Sequence, residues 1–215
     1  MAERTLHGYY RSTAAYRVRI ALNLKGLSAT HVPVHLRQGE QHSEAYRAVN
    51  PMGLVPWFSE DGVALGQSLA IIEYLEEAYP TPALLPSNLA SRAYAREIAC
   101  TVACDIHPVG NLRVLEKLSA DYKESAEGRA AWNRHWMEAG FTAIESRLQK
   151  AAGHFAIGDE PCLADLYIVP QLYNARRFGV NLARYPRLCA VDEAARALPA
   201  FIAAAPEHQS DFEEG

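Results

Sequence analysis

The chain has no excess of positive charge: 21 lysines and arginines stand against 25 aspartates and glutamates, for a formal net charge of −4. With no basic surplus to neutralise phosphates, nucleic-acid binding is not expected, and any anion site must be local. An apolar run of about 18 residues is also missing, so no membrane-spanning helix is expected. The opening "MAERTLHGYY" lacks the basic start and apolar core of a secretory signal, so a cytoplasmic location is expected. Cysteine is scarce. Cys100, Cys104, Cys162 and Cys189 form no CxxC pair and have no companion histidine pair, so neither a metal site nor a disulfide framework is expected. Cys100 and Cys104, four apart on a predicted helix, read as two small buried residues. No internal repeat or low-complexity tract occurs.

What is present is apolar content, 49% of 215 residues, enough for one large domain or two small ones. The pattern divides the chain. Strand-like runs, "TLHGYY", "ATHVPVHL", "LVPWFS" and "VALGQ", alternate with helical ones, "YRVRIALNLKG" and "SLAIIEYLEEAY". That alternation predicts an early parallel pair, and Glu60-Asp61-Gly62 predicts a hairpin. "YPTPALLPSN", with three prolines, reads as a linker, and beyond it "SRAYAREIACTVACDIHPVGNLRVLEKL" and "AAWNRHWMEAGFTAIESRLQKAA" read as helical. The expected fold class is α/β plus all-α, with domains over 1–82 and 88–215. The polar "PEHQSDFEEG" is expected to fray.

Three short stretches carry chemistry. In "YYRSTAAYRVRIAL" the small patch Ser12 to Ala15 has no glycine that would make it a phosphate loop, and it falls in the first turn of a helix. Unpaired N–H groups and the positive end of the helix dipole converge there. Ser12 or Thr13 serves either as a simple N-cap or as a hydroxyl donor to an anion. In the helix that follows, Val18, Ile20, Ala21, Leu22 and Leu24 form a core-facing stripe in a basic amphipathic run, and Lys25-Gly26 ends it. "NPMGLVPWF" sets Val55 before Pro56 at a strand entry, where a cis bond is a known solution. "GQSLAIIEYLEE" puts Gln67 and Ser68 at a helix start, where a carboxylate would meet N–H groups and a hydroxyl.

Together with "QSLAIIEYLEEAYPTPALLP", "CDIHPVGNLRVL" and "GDEPCLADLYIVPQLYNARRF", these stretches resemble the zeta class of the glutathione transferases, the maleylacetoacetate isomerase family, over nearly the whole chain. The resemblance implies a thioredoxin-like N-terminal domain that holds glutathione, an all-helical C-terminal domain for the acceptor, and a homodimer. It implies glutathione-dependent cis–trans isomerisation of a small dianionic cis-enone, maleylacetoacetate to fumarylacetoacetate, in tyrosine catabolism. Maleylpyruvate isomerisation, transfer to α-haloacids, and a non-catalytic interaction module remain alternatives.

Carried over by position, Ser12 stabilises the thiolate, Thr13 supports it, and Arg11 lies near the substrate's acid group. Gln41, Val55, Gln67 and Ser68 contact glutathione, Val55 through its backbone and Gln67 and Ser68 at the γ-glutamyl end. Pro56 is the cis-proline. His107 and Asn111 are also placed among the glutathione contacts; His107 takes a substrate carboxylate or assists enolate protonation, and Asn111 orients it or the glutathione. Arg113 and Arg177 meet substrate carboxylates with a planar fork suited to them, Arg177 being favoured over Arg176 because it precedes Phe. Ala14 stands where many relatives carry cysteine, so that cysteine's chemistry is absent. "CLAD" replaces the usual hydroxyl of a helix-capping box with Cys162, which leaves an expected half-box in which Asp165 bonds back toward residue 162.

Overall fold

Alternation in "RTLHG" buries Leu6 between more exposed neighbours, and β1 (Arg4–Gly8) forms there. The computed structural model describes residues 3–151 and 153–214. Contacts divide the chain into two compact units, one comprising residues up to 84 and from 197 onward, the other residues 85–196.

In the first unit β1 pairs in parallel with β2 (Thr30–Pro33) and antiparallel with β3 (Trp57–Glu60), and β3 pairs antiparallel with β4 (Val63–Gly66). The sheet order is β2-β1-β3-β4, with Leu6 opposite both His31 and Phe58. The parallel pair and the hairpin expected from sequence are both present, and this is the thioredoxin-like arrangement. Asp61 and Gly62 both take positive φ, 45° and 86°, the two-residue geometry that matches strand twist. Helix α1 (Thr13–Leu24) crosses between β1 and β2, and α2 (Glu44–Val49) and α3 (Ser68–Ala78) follow.

Helix α1 departs from the expected amphipathic run, because every residue from Thr13 to Leu22 is buried. The helix packs against α3 and against α9 (Pro199–Ala204), so its basic residues have no solvent face. They are anchored instead. Arg19 donates from Nε to Ala204 O at 2.9 Å and from Nη2 to Tyr10 O at 3.1 Å. Lys25 donates from Nζ to Glu76, to Tyr79 O and to Pro82 O, at 2.8, 2.6 and 2.9 Å. These bonds meet the cost of burying a cation, and Lys25 also fastens the start of the proline-rich stretch.

The expected second domain, 88–215, differs in its last part. Residues from 197 onward belong with the first unit: Phe201 and Ala204 are buried, and Asn23 Nδ2 donates to Ala200 O at 3.0 Å. In the stretch expected to fray, residues 206–214 are anchored through Asp211 and Glu213: Asp211 Oδ2 accepts the Tyr10 N–H at 2.9 Å and the Glu213 carboxylate lies 3.2 Å from His35 Nε2, while Glu207 and Glu214 are exposed.

The helical unit holds α4 (Leu89–Cys100), α5 (Leu112–Tyr122), α6 (Ala126–Leu148), α7 (Leu163–Arg177) and α8 (Pro186–Arg196). The long helical run expected through residue 118 is broken. After α4 comes a π-helical turn, Thr101–Ile106, then a 3-10 turn, Pro108–Gly110, and Asn111 caps α5 afresh. The wider turn moves Cys104 to the surface and leaves Cys100 half-buried, against the expectation of two buried residues. Among the described residues no helix is long and apolar enough to cross a membrane.

Helix α7 is buried through most of its length, and its start shows the capping reading at work. Asp165 Oδ2 accepts the Cys162 N–H at 2.8 Å, the expected half-box, and its Oδ1 accepts the Ala156 N–H at 2.9 Å. The Cys162 sulfur faces the Asp165 N–H, so a thiol completes the box. Burial pushes the Asp165 carboxyl up to about 6 even though both backbone donors pull it down.

Candidate functional site

The first unit gathers its polar groups around the N-terminal turns of α1 and α3. Ser12 closes a tight turn, its N–H donating to Tyr9 O at 2.9 Å, and then caps α1: its Oγ accepts the Ala15 N–H at 3.2 Å. The two readings of this hydroxyl are therefore compatible. Its oxygen is committed to the helix, so its proton points elsewhere and is available to an anion. The first turn of α1 contains no acidic residue, which leaves the positive dipole end uncompensated. Thr13 is buried, Arg11 is half-buried, and Ala14 brings no chemistry to the patch. Burial, with Tyr10 as neighbour, holds the Tyr9 phenol well above its ordinary range, so Tyr9 stays neutral.

Helix α3 begins at Gln67-Ser68. Gln67 adopts φ 66° and ψ 114°, a strained backbone for a residue with a side chain, and its carbonyl accepts the Ile71 N–H at 3.0 Å. Ser68 is buried, and its Oγ accepts from Arg17 Nη1 at 3.2 Å. Arg17 is a residue of this cluster that the sequence reading missed. It is only 1% exposed, lies one turn inside α1 from Thr13, and reaches the first residue of α3. The two acid-free helix starts therefore adjoin through a buried guanidinium. Its signal in the sequence was spacing: Arg17 falls four residues before Ala21 on the buried stripe, where a solvated arginine has no place.

Val55 is delivered by a rigid loop. Tyr46 Oη and Asn50 Nδ2 both donate to Leu54 O at 2.7 Å, and Asn50 Oδ1 accepts the Met52 N–H at 3.1 Å. Gly53 sits at φ 61°, where a Cβ would lie 2.7 Å from Gln41 O, so a side chain at 53 would push residue 41 out of place. The Val55-Pro56 bond is cis. Among the described residues the Val55 N–H and C=O enter no hydrogen bond, which fits pairing with a peptide backbone. Gln41 is buried, with Nε2 at 3.2 Å from His42 Nε2, and its Oε1 has no partner among the described residues. A ligand N–H would satisfy that oxygen. The set is a hydroxyl at one helix start, a second helix start with a guanidinium behind it, one open backbone pair and one orphan acceptor. These groups suit a small acidic peptide carrying a thiol, and glutathione fits them.

In the helical unit His107, Asn111 and Arg113 share one segment. The His107 N–H donates to Val102 O at 2.8 Å, the last π-type bond. Helix α6 seats this segment: Trp132 Nε1 donates to Val109 O at 2.8 Å, and Gly140 leaves room for Ile106, since a Cβ there would lie 2.3 Å from Ile106 Cδ1. Asn111 Oδ1 accepts the Arg113 N–H at 3.2 Å, so its oxygen is spent on the α5 cap. Arg113 is exposed at the second position of α5. At the end of α7 the adjacent arginines differ. Both are exposed, but Arg176 is ion-paired with buried Asp192, whereas Arg177 donates from Nη1 to Asn174 Oδ1 at 3.1 Å.

Residues 6–83 match the family described as the glutathione S-transferase N-terminal domain. The chain is 49% identical over 209 residues to a maleylacetoacetate isomerase of Pseudomonas aeruginosa, covering 96% of this chain and 97% of that one. A holo structure of a maleylpyruvate isomerase, described as a bacterial glutathione S-transferase of the zeta class, matches with TM-score 0.95 at 45% identity, covering 97% of this chain and 100% of that one. A maleylacetoacetate isomerase of Anaeromyxobacter dehalogenans, solved with glutathione in its active site, matches with TM-score 0.89 at 44% identity, covering 99% of each chain.

Proposed function

We propose, for a chain that belongs to the zeta-class glutathione transferase and maleylacetoacetate isomerase family, that it is a glutathione-dependent cis–trans isomerase whose first substrate is maleylacetoacetate. The observation that carries this reading is Ser12, whose Oγ accepts the Ala15 N–H at an acid-free helix start, so that its hydroxyl can donate to a sulfur placed there. Glutathione, held by Ser12, Gln41, Val55, Gln67 and Ser68, would supply the thiolate nucleophile for a reversible addition to the cis double bond, after which elimination would return the thiolate and leave the trans isomer.

The chain's own groups do the rest. Ser12, supported by Thr13 and the α1 dipole, holds the sulfur as thiolate and so raises the reactive fraction at neutral pH. Gln67, Ser68 and Arg17 bind the γ-glutamyl carboxylate, while Val55 and Gln41 fix the peptide. Addition to an enone drives negative charge onto a carbonyl oxygen, which calls for positioned donors. Arg11, Arg113 and Arg177 are assigned to the substrate's two carboxylates, with His107 to bind a carboxylate or return a proton to the enolate. Asn111, committed to the α5 cap, is assigned to orienting this segment. The protein is expected to act as a cytoplasmic homodimer in aromatic amino acid degradation.

A second reading, maleylpyruvate isomerisation, is favoured by the likeness to the zeta-class maleylpyruvate isomerase. Purified protein assayed with glutathione against maleylacetone, maleylpyruvate and dichloroacetate ranks the substrates. Isomerisation of maleylacetone is expected to be fastest. If neither cis-enone turns over, the isomerase reading is wrong: turnover of dichloroacetate alone would leave a transferase, and no glutathione binding by calorimetry would leave an interaction module.

A further inference from the structure

The loop that carries Ser12 is short and is held from two sides. Residues 9–12 leave the sheet after Gly8, whose carbonyl still accepts the Val34 N–H at 2.7 Å, and Ser12 closes the turn on Tyr9 O. From beneath, Arg19 holds Tyr10 O at 3.1 Å and Tyr9 O at 3.5 Å. From outside, the 205–214 segment holds the remaining groups. Asp211 Oδ2 accepts the Tyr10 N–H at 2.9 Å. Phe212 packs edge-on against the Tyr10 ring at 5.5 Å, and Tyr10 Oη donates to Glu213 O at 3.3 Å. His35 Nδ1 accepts the Gln38 N–H, which places the ring proton on Nε2, 3.2 Å from the Glu213 carboxylate. The segment is itself fixed to α9, for Gln209 Nε2 donates to Ala203 O at 3.0 Å and to Ala205 O at 2.9 Å.

We propose that Asp211, with Phe212, is a positioning residue for the thiolate site: it pins the Tyr10 amide two residues before Ser12 and thereby sets the direction of the Ser12 hydroxyl. This rests on the reading of Ser12 as thiolate donor. The physical argument is that a turn this tight passes displacement of its first amide on to the side chain it ends on. An error of about 1 Å at a reacting group costs up to about a hundredfold in rate. A carboxylate's negative charge would disfavour a nearby thiolate, so the benefit of Asp211 is geometric, through an acceptor oxygen held at the Tyr10 amide.

The test titrates the thiolate absorbance of glutathione bound to the full-length protein, alongside steady-state kinetics with maleylacetone. Asp211→Ala is expected to raise the pKa of the bound thiol by about one unit and lower kcat about tenfold, with the glutathione Kd within about twofold. Asp211→Asn keeps an acceptor oxygen and is expected to restore both. Phe212→Ala, at a partly exposed position, is expected to give a smaller effect in the same direction. A lowered thiol pKa in the parent protein that Asp211→Ala leaves unchanged overturns the proposal alone, even if melting temperature falls. If Asp211→Asn fails to restore what Asp211→Ala lost, the geometric role is also overturned. A parent protein that does not lower the thiol pKa overturns the thiolate reading and the proposal with it.

Discussion

The unit built on the mixed sheet buries Arg17, Arg19 and Lys25 together with Glu60, whereas the helical unit buries Glu145, Asp165 and Asp192 and, among its described residues, no lysine or arginine. The buried carboxylates of the helical unit serve its architecture. Asp165 takes two backbone N–H groups at the start of α7, and Glu145 takes those of Arg187 and Leu188, at 3.0 and 2.9 Å, at the start of α8. Two of the buried cations work in the same way on carbonyls, but Arg17 reaches the hydroxyl of Ser68 at a helix start. Arg17 thus differs from the groups that hold the fold, and on the function proposed above it is the buried cation set behind the glutathione carboxylate. The candidate acceptor groups of the helical unit, Arg113 and Arg177, are exposed at helix ends, an arrangement that can be retuned without disturbing a core.

The sharpest way to break this contrast is to remove the donor on the sheet unit. Ser12→Ala deletes the hydroxyl donor and the cap together, and turnover with maleylacetone is expected to fall about 10²- to 10³-fold, the range for losing one positioned donor. Binding of glutathione, measured by calorimetry, is expected to weaken only a few-fold because Val55, Gln41 and the α3 start remain. Unchanged turnover would remove Ser12 from the mechanism.

On the helical side the largest effect is on stability. The Asp165 carboxyl sits at about 6, above its ordinary 3.8, because burial disfavours its charge. Between those values the folded chain binds the proton more tightly than the unfolded one, so this group's stabilising contribution is complete below about pH 4. It is lost as pH rises through about 6, a swing on the order of 3 kcal/mol. Urea midpoints for parent and Asp165→Asn across pH 4 to 7 isolate it: the parent's advantage is expected to be largest at the acid end and to shrink toward neutrality. A difference independent of pH would show that the carboxyl does not titrate in this range.

Arg17 tests the exception among the cations. Arg17→Met keeps the apolar volume inside α1 and removes the guanidinium behind Ser68, and glutathione Kd is expected to rise about tenfold or more, as for a lost charge-assisted bond. The fold is expected to survive, because replacing a buried charge with a well-packed apolar group is often neutral. If affinity holds, Arg17 belongs with Arg19 and Lys25 as a structural clamp.

Much of this was legible in the sequence because the signals are local. The change of period near residue 88, the Asp61-Gly62 turn, the Ser12 cap and the Val55-Pro56 entry each follow from residues a few positions apart. What escaped depends on distant partners. Arg17 and Arg19 look like surface arginines until α3 and α9 cover α1. The polar 205–214 segment looks solvated until Asp211 meets an amide 201 residues away in sequence. The π turn at 101–106 has no composition of its own, and the room it needs is made by Gly140 on another helix.

The smallest expected effect is also the most discriminating for the helical unit, since it compares neighbours with the same side chain. Arg176 is spent on Asp192, which Arg196 also approaches at 3.8 Å, so Arg176→Ala leaves a buried carboxylate with a weaker partner. It is expected to lower the melting point by a few degrees while KM for maleylacetone stays put. Arg177→Ala removes an exposed fork that donates to Asn174 Oδ1 within its own helix. Its expected signature is the reverse, an unchanged melting point and a KM raised several-fold, within the range of a single carboxylate contact on an accessible surface. Exchange of the two signatures would put Arg176, not Arg177, at the substrate and make the Asp192 pair part of the acceptor site.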